Sequence, residues 1–266
     1  MARGVLLARG GYRLLGLGGV TALLSAYARG WAHARVNGSL VKLTAGELRL
    51  LLYASGMGVG TGAVGDVVEV GGFRFIRRVG DVPTVDPSIA EVYAGAYEAV
   101  GFTYKDSVVL DVGAYVGDSA FYFVRQGARL VYAVEPIDEY FKALELNIKL
   151  NGLEGVVKPI HARIGEAKQW PPSLAGRLTC TAPYTTLTYL KSITGAGILK
   201  LDCEGCEWWI LKNEAYAFTG FDVILVEVHG KASAFARQVE GLGFRLASIR
   251  RTPLSSEPIL TFVRVK

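Results

Sequence analysis

The chain has 266 residues, 51% of them hydrophobic and 20% charged, enough for one α/β domain with an extension and too apolar for wholesale disorder. Its formal net charge is +5, and Arg3, Arg9, Arg13, Arg29 and Arg35 supply that excess within the acid-free residues 1–36. A catalytic face that grips RNA carries its own basic excess, and the neutral body here argues against that class.

Residues 1–56 read as a helical extension. Residues 14–28 form an uncharged run of 15, too short to span a bilayer comfortably. The basic start and Ala26-Tyr27-Ala28 also fit a secretory signal or an interfacial membrane helix. The reading preferred is an amphipathic helix packed on the domain or on a second subunit. That leaves open a peripheral membrane contact through residues 1–36 and a homo-oligomer. The body itself reads as a cytoplasmic enzyme. Thr44-Ala45-Gly46-Glu47 is a capping box before residues 48–53, apolar apart from Arg49.

Residues 57–106 form a second segment, leading into the core. Asp66-Val67-Val68-Glu69-Val70, then Gly71-Gly72, then Phe73-Arg74-Phe75-Ile76 predicts a hairpin with a two-glycine turn. Asp86 caps a helix with Pro87 at its first position, predicted to run to about Val100. Over 107–266 strands and helices alternate, so a parallel sheet follows. Strands are predicted at 108–111, 130–134, 156–160, 197–201, 221–228, 244–248 and 259–265. Helices are predicted at 118–126, 137–151 and 231–240, the first two stopped by Gly127 and Gly152. The last strand alternates and is partly charged, which suits an antiparallel edge hairpin with the strand before it. An irregular segment lies between the third and fourth strands, with Trp170-Pro171-Pro172 at its middle.

The most informative stretch is Val108-Val109-Leu110-Asp111-Val112-Gly113-Ala114-Tyr115-Val116-Gly117-Asp118-Ser119. A buried strand ends in an acid, and a turn with two glycines opens a helix. Gly113 permits a sharp turn, and Gly117 permits close approach of a ligand. Ligands in open α/β sheets sit at that carboxyl end. The spacing is neither G-x-G-x-x-G nor a P-loop. It suits a nucleoside without a pyrophosphate, for which S-adenosylmethionine is the candidate; the plain alternative is a strand-to-helix turn with no ligand. Glu135 follows Asp111 by 24 residues, at the end of the second strand, where a carboxylate can hold a ribose diol. Its alternative role is as an acid at a helix N-terminus.

Glu135-Pro136, Phe141, Leu144, Asn147 and Asn151 keep the spacing E-P-x4-F-x2-L-x2-N-x3-N. Further on stands Lys200-Leu201-Asp202-Cys203-Glu204-Gly205-Cys206-Glu207. With the Asp-Val-Gly-Ala motif, these resemble the FkbM family of S-adenosylmethionine-dependent methyltransferases over roughly residues 66–265. The resemblance implies a Rossmann-like class I methyltransferase sheet of seven strands with the last antiparallel. It also implies methyl transfer, most often to a hydroxyl of a small molecule or glycan. The cofactor-binding residues expected on this reading are Asp111, Gly113, Ala114, Tyr115, Gly117, Asp118, Ser119, Glu135, Pro136, Ala162 and Asp202. Where the family shows Thr-Leu-Asp before the fourth strand, this chain has Thr186-Leu187-Thr188.

Methyl transfer to a hydroxyl asks for position and a base. His229 and Glu204 are the candidate bases. Asp202 is the candidate for orienting the cofactor's methionine moiety or the acceptor. The alternatives are helix capping for the two acids and a plain loop histidine for His229. Lys200 is read as pairing with an acid. No resident metal is expected, although Asp202, Glu204 and His229 together could hold a divalent ion. Cys203-x-x-Cys206 is read as two buried thiols. Trp208-Trp209 either line an acceptor pocket or pack a helix on the sheet. Two other functions stay in view: an RNA methyltransferase recruiting through the basic tail, and a binding module without catalysis.

Overall fold

The computed structural model describes residues 7, 9, 25, 26, 28–36, 39–165 and 178–265. The segment around Trp170-Pro171-Pro172 lies outside them, as do residues 14–28 apart from Ser25, Ala26 and Ala28, which are helical. Among the described residues no helix is long and apolar enough to cross a membrane. The chain divides into two compact units, Met1–Ala96 with Thr252–Ser255, and Tyr97–Arg251 with Ser256–Lys266.

In the first unit, β1 (Trp31–Val36) and β2 (Ser39–Thr44) form an antiparallel hairpin. This corrects the helical reading of residues 31–44. Ala32, Ala34 and Val36 are buried in alternation with exposed His33 and Arg35. A period of two, with one face buried, overrides alanine's preference for helix. Helix α1 (Ala45–Gly56) starts at the expected capping box, with Thr44 Oγ1 accepting from Glu47 N and the Glu47 carboxylate accepting from Thr44 N. Strands β3 (Thr61–Val64), β4 (Val67–Val70) and β5 (Phe73–Ile76) pair antiparallel. The predicted hairpin is thus present and gains a third strand. Its turn glycines have φ of +63° and +86°, the left-handed pair such a two-residue loop requires. After the short pair β6 (Arg78–Val79) and β7 (Val82–Pro83), helix α2 (Ser88–Tyr93) follows. Asp86 accepts from Ser88 N at 2.7 Å. The helix ends well before Val100, and Gly95 (φ +99°) turns the chain just beyond it.

Glu47 also anchors a buried ion pair. Arg77 Nε donates to Oε1 at 2.7 Å and Nη2 to Oε2 at 2.5 Å, and the guanidinium donates to the carbonyls of Gly65 and Lys42. Burial raises the Glu47 pKa, but Arg77 and the Thr44 amide prevail and hold it below the ordinary value. A carboxyl depressed on folding contributes stability above its unfolded pKa and loses it as pH falls through the folded one. Glu47→Gln should therefore cost about 3–5 kcal/mol at pH 7, by leaving a buried guanidinium unpaired. The gap to wild type should narrow toward pH 4. Urea titrations at the two pH values check this, and an equal gap at both would refute it.

The second unit carries the larger sheet. In chain order it has β8 (Val108–Val112), α3 (Asp118–Arg125), β9 (Leu130–Glu135), α4 (Asp138–Leu150) and β10 (Val157–His161). The short parallel pair β11 (Arg163–Ile164) and β12 (Tyr184–Thr185) comes next, then α5 (Leu187–Thr194). The chain continues with β13 (Ile198–Leu201), α6 (Cys206–Asn213), β14 (Val223–Glu227), α7 (Ala232–Glu240), β15 (Phe244–Arg250) and β16 (Ile259–Arg264). The sheet order is β10-β9-β8-β13-β14-β16-β15. β10, β9, β8, β13 and β14 are parallel, and β16 runs antiparallel to both its neighbours. The Rossmann-like α/β class predicted for this region is the observed one. β16 inserts between β14 and β15 and forms with β15 the antiparallel hairpin expected at the sheet edge. Its first four residues, Ile259 to Phe262, are all buried, as a strand flanked on both sides requires.

The parallel order places consecutive crossings at one end of the sheet. Leu110, Leu199, Ile224 and Phe262 pack with Leu187, Ile210, Phe235 and Val239 in one apolar cluster. That core holds the strand ends, and the loops leaving them, in fixed register.

Candidate functional site

The loop after β8 is shaped by what lies beside it. Gly113 has φ +79°, and a Cβ there would stand 1.7 Å from the Asp202 carbonyl oxygen. Only glycine lets the two loops pass. Beneath them, Lys200 and Asp111 are register partners on β13 and β8. Lys200 Nζ lies 3.0 Å from Asp111 Oδ1 and 3.8 Å from Asp202 Oδ2, and it donates to the Gly113 carbonyl at 2.6 Å. Ser119 Oγ donates to Asp111 Oδ2 at 2.7 Å. Burial opposes the charge on Lys200, but Asp111, Asp202 and Asp118 outweigh it and raise its pKa. The lysine thus pairs with acids, as expected. Asp111 is fully buried, with its carboxylate engaged by the chain's own groups.

Gly117 caps α3 at φ +98°, and the place of its Cβ is within 2.9 Å of Leu144 and Phe121. Packing, rather than close approach of a ligand, is what demands this glycine. Ala114, Asp118 and Ser119 are buried beside it.

Glu135, the last residue of β9, is 4% exposed. Its Oε2 accepts from Tyr115 N and its Oε1 from Ile137 N, each at 2.9 Å. Burial pushes the carboxyl up to about 8, against the pull of those two amides. Each carboxylate oxygen has room for one further donor. Tyr115, at φ +49°, rests edge-on against Tyr140 at 4.6 Å. The Pro136 carbonyl stands 3.3 Å from His161 Nε2. Ala162, just past β10, is buried in the apolar cluster.

Asp202 and Glu204 follow β13, and His229 follows β14. His229 Nε2 is 3.4 Å from Glu204 Oε2, and Nδ1 is 3.1 Å from Glu207 Oε1. Glu207 is fully buried. It also accepts from His229 N at 3.0 Å and from Gly205 N at 2.9 Å, so one carboxylate ties both loops. Burial lowers the His229 pKa, but Glu207, Glu204 and Asp202 prevail and hold it up to about 9. Burial also raises Glu204, although His229 pulls the other way. Neither Asp202 nor Glu204 caps α6, whose cap is Gly205 without a side-chain bond. Asp202, Glu204 and His229 each offer one ligand atom, all within 4.8 Å of one another.

The family described as the methyltransferase FkbM domain matches residues 111–246, just over half of the chain. The chain belongs to the FkbM family. As a member it is an S-adenosylmethionine-dependent methyltransferase. No curated protein matches it. Among solved structures, the TYW2 protein of M. jannaschii in complex with AdoMet is 17% identical, covers 77% of this chain and 90% of that one, and has a TM-score of 0.48. M. capricolum TrmK in complex with S-adenosyl-homocysteine is 11% identical, with 69% and 70% coverage and a TM-score of 0.45. A protein of the NADB-Rossmann superfamily from Streptococcus agalactiae is 11% identical, with 68% coverage of each chain and a TM-score of 0.47.

Two residues of this FkbM chain's site escaped the sequence. Tyr97 donates to Asp202 Oδ2 at 3.2 Å across 105 positions, a distance in sequence that no motif signals. Glu207 was visible only as the last residue of the stretch from Lys200, and its hold on His229 needed the fold. The reading of Cys203 and Cys206 as free thiols is corrected, because a disulfide joins them. Glu204 and Gly205 between them have φ of +56° and +110°. Those left-handed residues turn the loop back so that the two Cα atoms lie 5.4 Å apart, within disulfide range. Trp208 donates to the His229 carbonyl at 2.8 Å and packs edge-on against Phe235, so its role is packing.

Proposed function

We propose that this FkbM methyltransferase methylates a hydroxyl oxygen of a small molecule or glycan. The observation that carries the reading is the grouping of Asp202, Glu204 and His229 at the ends of two adjacent strands, beside the Gly113 loop whose Tyr115 amide Glu135 holds. The residues also suit the cofactor. Glu135 has capacity for two hydroxyl donors, and the acids Asp111, Asp118, Asp202, Glu204 and Glu207 outnumber Lys200 and His229, which favours a cationic ligand. S-adenosylmethionine supplies a methyl group on a positively charged sulfur, which departs as a neutral thioether.

The chain's own residues position and deprotonate. Glu135 accepts from the ribose hydroxyls, and Tyr115 N keeps its carboxylate turned to the loop. Lys200 braces the Gly113 carbonyl. Glu207 fixes His229, which in turn holds Glu204. Glu204, whose side chain is 58% exposed, receives the acceptor's proton as the new O–C bond forms. Asp202 orients the methionine moiety or the acceptor.

Glu135→Ala should weaken S-adenosylhomocysteine binding tenfold or more, about 1.5–3 kcal/mol for charged hydrogen bonds lost. Because the ionised carboxyl accepts both hydroxyls, affinity should climb by up to about tenfold per pH unit from pH 6 to 8 and then level. Glu135→Gln should flatten the slope. Calorimetry at three pH values checks this, and a flat wild-type profile refutes the assignment. The acceptor class is tested with radiolabelled S-adenosylmethionine and cell-extract fractions, some digested with ribonuclease. Label that vanishes only after ribonuclease would overturn the small-molecule reading.

A further inference from the structure

We infer that Asp202, Glu204 and His229 form a divalent-cation site, and that the ion receives an acceptor bearing two neighbouring oxygens, as in a vicinal diol. The second half rests on the reading of the chain as a hydroxyl methyltransferase; the first does not.

The distances carry the site. With metal–ligand bonds of about 2.1–2.4 Å, two donor atoms on one ion stand at most about 4.8 Å apart. One atom from each of the three side chains meets that limit. They come from two separate loops, so the grouping is a product of the fold rather than of adjacency in sequence. Two carboxylate oxygens and one imidazole nitrogen form a donor set suited to Mn2+, Zn2+ or Mg2+. Three protein ligands leave further positions for water or substrate.

The surroundings supply a second, independent argument. Histidines that bind metals almost always give their other ring nitrogen to a carboxylate or carbonyl, which fixes ring and tautomer. Here His229 Nδ1 is 3.1 Å from the fully buried Glu207 carboxylate, and Nε2 is the nitrogen turned toward Glu204. Glu207 also holds the backbone of both ligand-bearing loops, at Gly205 N and His229 N. Asp202 is steadied in the same way. Its Oδ2 accepts from Tyr97 and faces Lys200; among the described residues Oδ1 has no bonded donor. Lys200 does not fill the site, because it is committed to Asp111 and the Gly113 carbonyl.

An ion here changes what the loops select. A hydroxyl bound to it sheds its proton more readily, and a second oxygen of the same acceptor fills another open position. Glu204 keeps one oxygen for the ion and the other for the departing proton. The methyl transfer itself is unaltered.

Electron paramagnetic resonance with Mn2+ alone tests the site on the full chain. The free-ion signal should fall to an end point of one ion per chain, and spin-echo spectra of wild type should show an imidazole nitrogen coupled to the metal. Glu204→Gln and His229→Asn should each weaken Mn2+ binding at least tenfold, and Glu207→Gln by about 10–100-fold. Melting curves confirm that each variant is folded, and the spin-echo signature stands without any variant. An undiminished Mn2+ signal at millimolar wild type, or folded variants that bind as well as wild type, would overturn the site. S-adenosylhomocysteine binding is measured on the same samples. Its loss with Mn2+ binding intact would sink the methyltransferase role and spare the ion; the reverse would sink the ion alone.

Discussion

Gly113→Ala should lower the stability of the second unit by about 2–4 kcal/mol, from overpacking added to a left-handed backbone. It should also reduce S-adenosylhomocysteine binding below detection. The two causes can be separated. Gly152 also has positive φ, +67°, but nothing lies within 4 Å of its would-be Cβ. Gly152→Ala should therefore cost only about 1–2 kcal/mol, the left-handed penalty, and leave binding unchanged. At Gly113 the added carbon meets the Asp202 carbonyl at 1.7 Å, and that atom is backbone, which cannot swing aside. The loops after β8 and β13 must then separate, carrying Tyr115 away from Glu135 and Asp202 away from Tyr97. Urea unfolding and calorimetry on both variants decide the point. Equal costs at the two glycines would show that the contact with Asp202 is unimportant.

Lys200→Met has the larger energetic consequence. It strips the cation from a carboxylate with no exposure to water, and removing one partner of such a pair costs about 3–5 kcal/mol. Asp111→Leu should also be destabilising, though by less, because the buried lysine keeps Asp202 at 3.8 Å and the Gly113 carbonyl. The double variant should regain most of the loss, since a well-packed apolar pair in the sheet can match a buried ion pair. Cofactor affinity should not return with it. Lys200 braces the Gly113 carbonyl, and no apolar side chain replaces that bond. Stability recovered together with full S-adenosylhomocysteine affinity would mean the pair serves folding only.

Much of this molecule was legible because the signals are local. The apolar run before Asp111, Gly127 and Gly152 as helix stops, and Thr44 with Glu47 as a capping box each depend on neighbours within a few positions. The chemistry of a strand end also reads locally, which is why Glu135, Asp202, Glu204 and His229 stood out without a fold. Alternation of β8 to β14 with helices was enough to order a parallel sheet. β1 was read as part of a helical extension although its two-residue period was present in the sequence.

What only the tertiary structure decided lies in pairs far apart along the chain. Tyr97 reaches Asp202 because the sheet order seats β13 beside β8, and Glu207 claims His229 because β14 follows on its other side. The same topology closed Asp111 beneath Lys200 and seated β16 between β14 and β15. Periodicity and turn chemistry act over a few residues, so they fix elements and their ends. Which carboxylate meets which cation depends on the order of the strands, and no short stretch of chain contains that order.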